Sequence, residues 1–145
     1  MPVRKAIAGR TEKTVTKATE RFGWESYETS WEKLIERKGI DLIDIANPNY
    51  THKEIAIAAA KAGKNVLCEK PLATNLSDTQ EMLKVVESEG VKHMICFNYR
   101  KTPAFALAKR MVEEGNLGEI YHFRAVYLQD WPIDPQFPLN WKLRK

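Results

Sequence analysis

The sequence lacks long apolar runs and has few cysteines. No apolar run reaches the ~18 residues that a membrane helix needs. Residues 1–10 also lack the apolar core of a signal peptide. The two cysteines, Cys68 and Cys96, are not in CxxC spacing, so we expect thiols rather than a disulfide or a zinc site. Together these features favour a cytoplasmic location and no bound metal.

Charge of one sign is not concentrated anywhere in the chain. The net charge is +4, and the basic residues alternate with acidic ones without a run of five like charges. Such spacing is typical of solvated helix faces, so we expect neither a nucleic-acid nor a membrane partner. The 145 residues are 43% hydrophobic and 29% charged, which indicates a globular chain of about one domain.

Glycine is scarce, and its placement indicates where helices end. None of the seven glycines forms the GxGxxG turn with which a dinucleotide-binding unit normally begins. Five glycines follow helix-like patterns, where a left-handed residue commonly ends a helix. These are Gly23, Gly39, Gly63, Gly90 and Gly115.

Helical spacing of apolar residues predicts helices after several capping residues. Ser30 is expected to cap the helix 31–38, and Asn75 or Ser77 the helix that carries Met82 inward. Thr51 and Glu54 have the form of a capping box. A further helix is predicted over 11–22, and the helix after the capping box is expected to end at Ala62. Another helix is predicted to begin with Pro103 at its first position.

Short apolar runs between these helices predict strands. They are Val3–Ala8, Asp41–Ala46, Asn65–Cys68 and His93–Phe97, with a weaker candidate at Trp24–Glu28. Strand and helix alternate, so the fold class is α/β: a Rossmann-like parallel sheet with crossover helices over residues 1–117. Period-two alternation over Glu119–Gln129 predicts a long strand that begins a second domain, residues 118–145.

Polar residues that follow the first predicted strand suggest how a nucleotide is read. The strand Val3–Ala8 leads into Gly9 and Arg10, with no carboxylate at that point. In a dinucleotide-binding fold a carboxylate here favours NAD, whereas an arginine can bind the 2′-phosphate of NADP. Arg10 therefore favours NADP; the alternative is an ordinary exposed arginine at a strand end.

Two further strand ends carry candidate ligand-binding residues. The segment from Asn47 to His52 follows one strand, and Pro48 and Asn49 can shape a ligand-binding loop there or an ordinary turn. Glu69, Lys70 and Pro71 follow the next strand. A lysine at such a strand end can act as an acid or base or stabilise an alkoxide, although the tripeptide alone is equally compatible with a surface turn.

The segments DLIDIANPNYTHKEIAIAAAKAG, AGKNVLCEKPLA and CFNYR together resemble the Gfo/Idh/MocA family, named after glucose–fructose oxidoreductase and inositol dehydrogenase. The resemblance extends over nearly the whole chain. It implies an NAD(P)-dependent enzyme that transfers a hydride between the nicotinamide and a carbon bearing a hydroxyl group in a sugar, inositol or related polyol.

The resemblance also assigns roles to residues. Lys70 would be catalytic, and the cofactor would lie against seven residues besides Lys70. These are Arg10, Asn47, Pro48, Asn49, His52, Glu69 and Asn98. The substrate would contact Tyr99, Arg100, Gln129, Trp131 and Trp141, although the tryptophans could equally serve in packing.

Two departures from the family pattern matter. The first strand, glycine-rich loop and first helix have no counterpart, nor does the later segment with an aspartate and a histidine, so the chain is expected to be truncated at both ends. The second and fourth strands of such a sheet would then lose their shared neighbour, and we expect a homo-oligomer. The alternative to an enzyme is a non-catalytic oligomeric fragment that binds nucleotide weakly.

Overall fold

The structure, a computed structural model, describes residues 2–130 and 133–138. The chain divides after Phe97 into two compact units. The domain boundary expected after residue 117 remains a prediction.

The first unit alternates strands and helices, as the sequence predicts. Its strands are β1 (Ala6–Ala8), β2 (Ser26–Glu28), β3 (Leu42–Ile45), β4 (Asn65–Cys68) and β5 (His93–Ile95). Its helices are α1 (Glu12–Phe22), α2 (Trp31–Glu36), α3 (His52–Lys61) and α4 (Leu76–Ser88), with a 3₁₀ turn at Asn49–Thr51. All paired strands are parallel, in the orders β1–β2 and β3–β4–β5.

Polar residues cap the starts of three helices, and a glycine ends one of them. The side chains of Thr11, Ser30 and Asn75 each accept a hydrogen bond from a backbone amide in the first turn of α1, α2 and α4. Gly23 ends α1 in the left-handed region, with φ of 67°.

The capping box expected at Thr51 is wrong. The 3₁₀ turn places Thr51 in a helical conformation, and its hydroxyl donates to the carbonyl of Pro48, 2.8 Å away. A side chain engaged in this way is not the extended N-cap that a capping box requires.

The two faces of the β3–β4–β5 sheet differ in burial. One face, which we call the covered face, carries Ile43, Ile45, Val66 and Cys68, all buried in one core with side chains of α3 and α4. The opposite face, which we call the open face, carries Leu42, Asp44, Leu67 and Met94. Leu42 is 48% exposed and Met94 55%, so this face is only partly enclosed.

The parallel strands form two sheets rather than one. Among the described residues, β1 pairs only with β2, and β3 pairs only with β4. This agrees with the expectation that two strands lack a shared neighbour. Helix α2 nevertheless connects the two sheets, because it contacts β1 and β2 as well as α3.

The second unit begins with a 3₁₀ turn, Asn98–Lys101, and the helix α5 (Pro103–Glu113), which has proline in its first turn as predicted. The strand expected over Glu119–Gln129 is not formed. A strand is stabilised by hydrogen bonds to a neighbour, and alternation of side chains alone does not provide one. Trp131 and Trp141, expected at the substrate, lie outside the described residues.

Within the described part of the chain, no helix is long and apolar enough to cross a membrane. Both cysteines are free thiols, as expected.

Candidate functional site

The loops that follow β3 and β4 meet at one edge of the sheet. The strands are parallel, so their carboxyl ends lie side by side. The amide of Glu69 donates to the carbonyl of Ile45 at 2.9 Å, and the amide of Cys96 donates to the carbonyl of Cys68 at 2.8 Å. In open α/β sheets this edge is where ligands bind. We call it the strand-end edge.

His52 joins the two loops from within the protein. Its side chain is fully buried, with Nε2 2.9 Å from the carbonyl oxygen of Asn47 and Nδ1 3.0 Å from that of Pro71. The imidazole therefore holds the loop after β3 against the loop after β4. Its position at the start of α3 allows this, because α3 follows directly from the first loop.

Lys70 and Glu69 lie in the loop after β4. The Lys70 side chain is exposed, and its ammonium makes no ion pair with any described residue. The Glu69 carboxylate accepts from the amide of Lys70 at 3.0 Å, and the bond between Lys70 and Pro71 is cis. The arrangement leaves a cation available beside a carboxylate.

Another lysine, Lys53, shows the contrasting situation where α3 faces α4. Its ammonium lies 2.8 Å from the Asp78 carboxylate and 2.7 Å from that of Glu81. The hydrogen bonds to these two carboxylates raise the pKa of Lys53. A shallow cavity of about 430 Å³ also borders Lys53, Tyr50 and Asp78. The positive charge of Lys53 is thus balanced by two carboxylates, whereas that of Lys70 has no ion-pair partner among the described residues.

Carboxyl and thiol groups near the strand-end edge have perturbed acidity. Removal of surrounding water raises the pKa of Asp44, and the Glu69 carboxylate raises it further. Burial raises the pKa of Cys68 to about 12 and also raises that of Cys96. The thiols are therefore protonated and unreactive, while two carboxylates, Asp44 and Glu69, interact on this side of the sheet.

The end of β1 shows a close approach between strand and helix. A Cβ atom at Gly9 would lie 2.9 Å from the Cβ of Val15 in α1, so only glycine fits without displacement. Arg10 follows, exposed, immediately before the Thr11 cap of α1. Gly9 thus lets the first turn of α1 lie close to the strand end.

The other predicted residues of the first unit lie in the loop after β3. Asn47 is exposed, and its carbonyl oxygen faces His52. Pro48 and Asn49 are half-buried, and Asn49 starts the 3₁₀ turn. The structure thus brings this loop together with Glu69 and Lys70, through His52.

The predicted residues of the second unit include an aromatic pair. Tyr99 and Tyr127 place their hydroxyl oxygens 2.8 Å apart, and the side-chain amide of Gln129 donates to Tyr127 Oη at 2.7 Å. Asn98 accepts from the amide of Tyr99 at 2.9 Å, and Arg100 is exposed. Tyr99 and Gln129, both predicted from the resemblance, therefore share one contact, Tyr127.

Sequence reasoning missed Asp44 and Tyr127. A carboxylate inside an otherwise apolar strand, LIDI, was a usable signal for Asp44. No signal pointed to Tyr127 beyond its period-two position two residues before Gln129. In the described part of the chain, no group of histidine, cysteine and carboxylate side chains could hold a metal ion.

The parallel strands, crossover helices and polar strand ends define a dinucleotide-binding α/β fold. Residues 4–97 match the oxidoreductase family with an NAD-binding Rossmann fold, GFO_IDH_MocA. The chain belongs to this family, which confirms the resemblance seen in the sequence.

The chain is similar to several curated dehydrogenases. It is 48% identical to levoglucosan dehydrogenase of Pseudarthrobacter phenanthrenivorans over all of its 145 residues, which cover 37% of that protein. It is 34% identical to myo-inositol 2-dehydrogenase of Thermotoga maritima over 82% of the chain and 36% of that protein. The chain thus spans little more than a third of the length of these relatives.

Solved structures agree with the fold. The structure of levoglucosan dehydrogenase in complex with NADH and levoglucosan matches 97% of the chain with a TM-score of 0.93 and 48% identity. The match covers 38% of the levoglucosan dehydrogenase chain. An oxidoreductase domain protein from Kribbella flavida matches 98% of the chain, and 39% of its own, with a TM-score of 0.93 and 43% identity.

Proposed function

We propose that the chain forms part of an NAD(P)-dependent oxidoreductase that acts on a CH–OH group of a sugar, inositol or related polyol. The observation that carries this proposal is Lys70, a cation beside Glu69 at the strand-end edge that has no ion pair among the described residues. The chain's membership of the oxidoreductase family supports it. An unpaired ammonium at this place can hold a substrate hydroxyl group, whereas a lysine paired as Lys53 is cannot.

The reaction requires a hydride to leave the carbon for the nicotinamide while the hydroxyl proton leaves for a base, so that the alcohol becomes a carbonyl. The nicotinamide cofactor supplies the hydride acceptor when bound. Lys70 would orient the hydroxyl group and stabilise negative charge that develops on its oxygen. Asn47, Pro48, Asn49, Glu69 and Asn98 would contact the cofactor, and Tyr99, Arg100, Gln129, Trp131 and Trp141 the substrate.

His52 contributes to this proposal as a positioning residue. Its ring is fully enclosed and each ring nitrogen lies within 3.0 Å of a carbonyl oxygen, so it would shape the cofactor-binding loops from behind. Similarity to dehydrogenases named for levoglucosan and myo-inositol supports a cyclic polyhydroxy substrate.

The first test is nucleotide binding by the full chain, with NADH and NADPH titrated in a calorimeter. A micromolar dissociation constant supports the proposal. If Arg10 binds the 2′-phosphate, Arg10→Ala should weaken the binding of NADPH more than that of NADH. An equal loss of affinity for both nucleotides would contradict the preference for NADP. Lys53→Met is the matched control for Lys70→Met, because Lys70 lies at the strand-end edge and Lys53 does not.

A second candidate is a non-catalytic, self-associating fragment that binds nucleotide weakly. The observation that favours it is the division of the parallel strands into two sheets, which leaves β1 and β3 each with one strand partner among the described residues. Self-association could complete these edges. Light scattering of a well-folded monomer at micromolar concentration would contradict self-association, and millimolar or absent nucleotide binding would favour this candidate over the enzyme.

A cytoplasmic location also remains a proposal. The free thiols of Cys68 and Cys96 are compatible with a reducing compartment.

A further inference from the structure

The second unit contains a row of three hydrogen-bonded side chains, Gln129, Tyr127 and Tyr99. Gln129 donates to Tyr127 Oη at 2.7 Å, and the Tyr127 and Tyr99 hydroxyl oxygens are 2.8 Å apart. The two tyrosine rings meet edge to face, with centroids 6.0 Å apart and planes at 66°. Tyr99 also packs against Phe105 at 6.4 Å.

The base of this row is fixed by the backbone. The carbonyl of Tyr99 accepts from the amide of Thr102 at 3.1 Å and from its hydroxyl at 2.9 Å. Thr102 in turn precedes Pro103, the first residue of α5. The Tyr99 backbone is therefore fixed at a helix end rather than in a free loop, which leaves its side chain to be oriented by its own contacts.

The number of protons in the row matters for ligand binding. An amide nitrogen can only donate, so Gln129 uses a lone pair of Tyr127. The two tyrosine hydroxyl groups have two protons, of which their mutual bond uses one. The hydrogen bond to Tyr99 raises the pKa of Tyr127, so the Tyr127 hydroxyl keeps its proton. The second proton is thus available to a third oxygen.

We propose that Tyr127 is a positioning residue of the substrate site: held by Gln129, it orients the Tyr99 hydroxyl toward a hydroxyl group of a cyclic sugar or polyol. The inference rests on the proposed function and goes beyond it by naming Tyr127. A hydroxyl-rich ring suits the row, because its C–H face packs on an aromatic ring while its hydroxyl groups exchange hydrogen bonds. Tyr99 is 54% exposed and Tyr127 66%, so a ligand can reach both.

The test measures binding of levoglucosan and of myo-inositol to the full chain by saturation-transfer NMR, with NADH binding measured in parallel. Tyr127→Phe keeps the ring and removes the hydroxyl, and we expect it to raise the dissociation constant for the sugar about fivefold. The matched control is Tyr121→Phe, because Tyr121 is 86% exposed and, among the described residues, its hydroxyl donates only to the nearby Glu119 carboxylate, at 2.8 Å. We expect no change for the control.

Two readouts separate positioning from a structural role. The double variant Tyr99→Phe/Tyr127→Phe should bind the sugar no more weakly than Tyr99→Phe alone, because Tyr127 acts through Tyr99. The near-ultraviolet difference spectrum of tyrosine on addition of sugar should shrink in Tyr127→Phe. Thermal unfolding and NADH binding should match the parent chain.

The outcomes distinguish the two proposals. If the parent chain binds sugar and Tyr127→Phe binds it equally well, or the two substitutions are additive, the role of Tyr127 is refuted while the proposed function stands. If NADH binds and neither sugar does, the inference is likewise refuted. If neither NADH nor sugar binds, the proposed function itself fails for this chain.

Discussion

The covered and open faces of the β3–β4–β5 sheet are built from the same strands but differ in what fixes their residues. Ile45, on the covered face, is 1% exposed, whereas Leu42, three residues earlier on the open face, is 48% exposed. On the open face Asp44 interacts with Glu69. The comparison indicates that packing energy is concentrated on one face, while the other and its strand-end edge carry the chemical groups.

The largest expected effect is loss of a covered-face side chain. Ile45→Ala removes buried methylene groups and leaves a cavity, so we expect the free energy of unfolding to fall by about 3 kcal/mol. Leu42→Ala on the open face should cost less than about 1 kcal/mol, because its side chain is half exposed. Urea unfolding measures both values. Equal losses would show that the open face is covered in solution, for instance by another copy of the chain.

His52 provides the next test, because it links the covered core to the strand-end edge. His52→Leu leaves the carbonyl groups of Asn47 and Pro71 without this partner, and we expect a loss of about 2 kcal/mol. The control is His93→Leu, since His93 is exposed and bonds to a carbonyl only two residues away. Its stability should stay within about 0.5 kcal/mol of the parent. A His52 variant as stable as the control would refute the role of His52 in joining the loops.

Asp44 tests the electrostatics of the open face. Its folded-state pKa is raised, so the native chain disfavours the ionised form, and stability is lost as pH rises from about 4 through the raised pKa. Asp44→Asn should remove this loss and stabilise the chain at pH 7 by less than about 1 kcal/mol, because water screens the charge. Unfolding across the pH range, with exposed Asp41→Asn as control, measures the difference. If the difference in stability between Asp44→Asn and the parent chain did not change with pH, this prediction would be wrong.

The smallest expected effect separates the two lysines. Lys53→Met breaks two ion pairs with Asp78 and Glu81 and should lower the urea midpoint slightly, more so at low salt. Lys70→Met should leave the midpoint unchanged, because its ammonium has no ion pair among the described residues. A clear loss of stability for Lys70→Met would indicate a structural partner and weaken its assignment to the reaction.

Local patterns in the sequence predicted the first unit well. β4 begins and ends where its apolar run does, and Ser30 and Asn75 cap helices as expected, because caps depend on residues close in sequence. Thr11, which was expected inside α1, is instead its cap. The strand expected at Glu119–Gln129 failed because pairing depends on a distant partner.

The candidate site divides in the same way. The loops after β3 and β4 could be predicted, since the ends of parallel strands meet at one edge. The contact of His52 with Pro71 spans 19 residues, and that of Tyr99 with Tyr127 spans 28. Such contacts depend on how the chain packs, so the spacing of residues alone could not reveal them.

Helix α2 has a consequence for how the first unit unfolds. Backbone hydrogen bonds do not link β1–β2 to β3–β4–β5 among the described residues, so cooperativity between them has to pass through side chains. Trp31 of α2 packs against the core, and Arg37, just after α2, bonds to Glu28. We therefore expect a perturbed α2 to uncouple β1–β2 from β3–β4–β5 during unfolding, so that indole fluorescence and backbone dichroism report separate transitions.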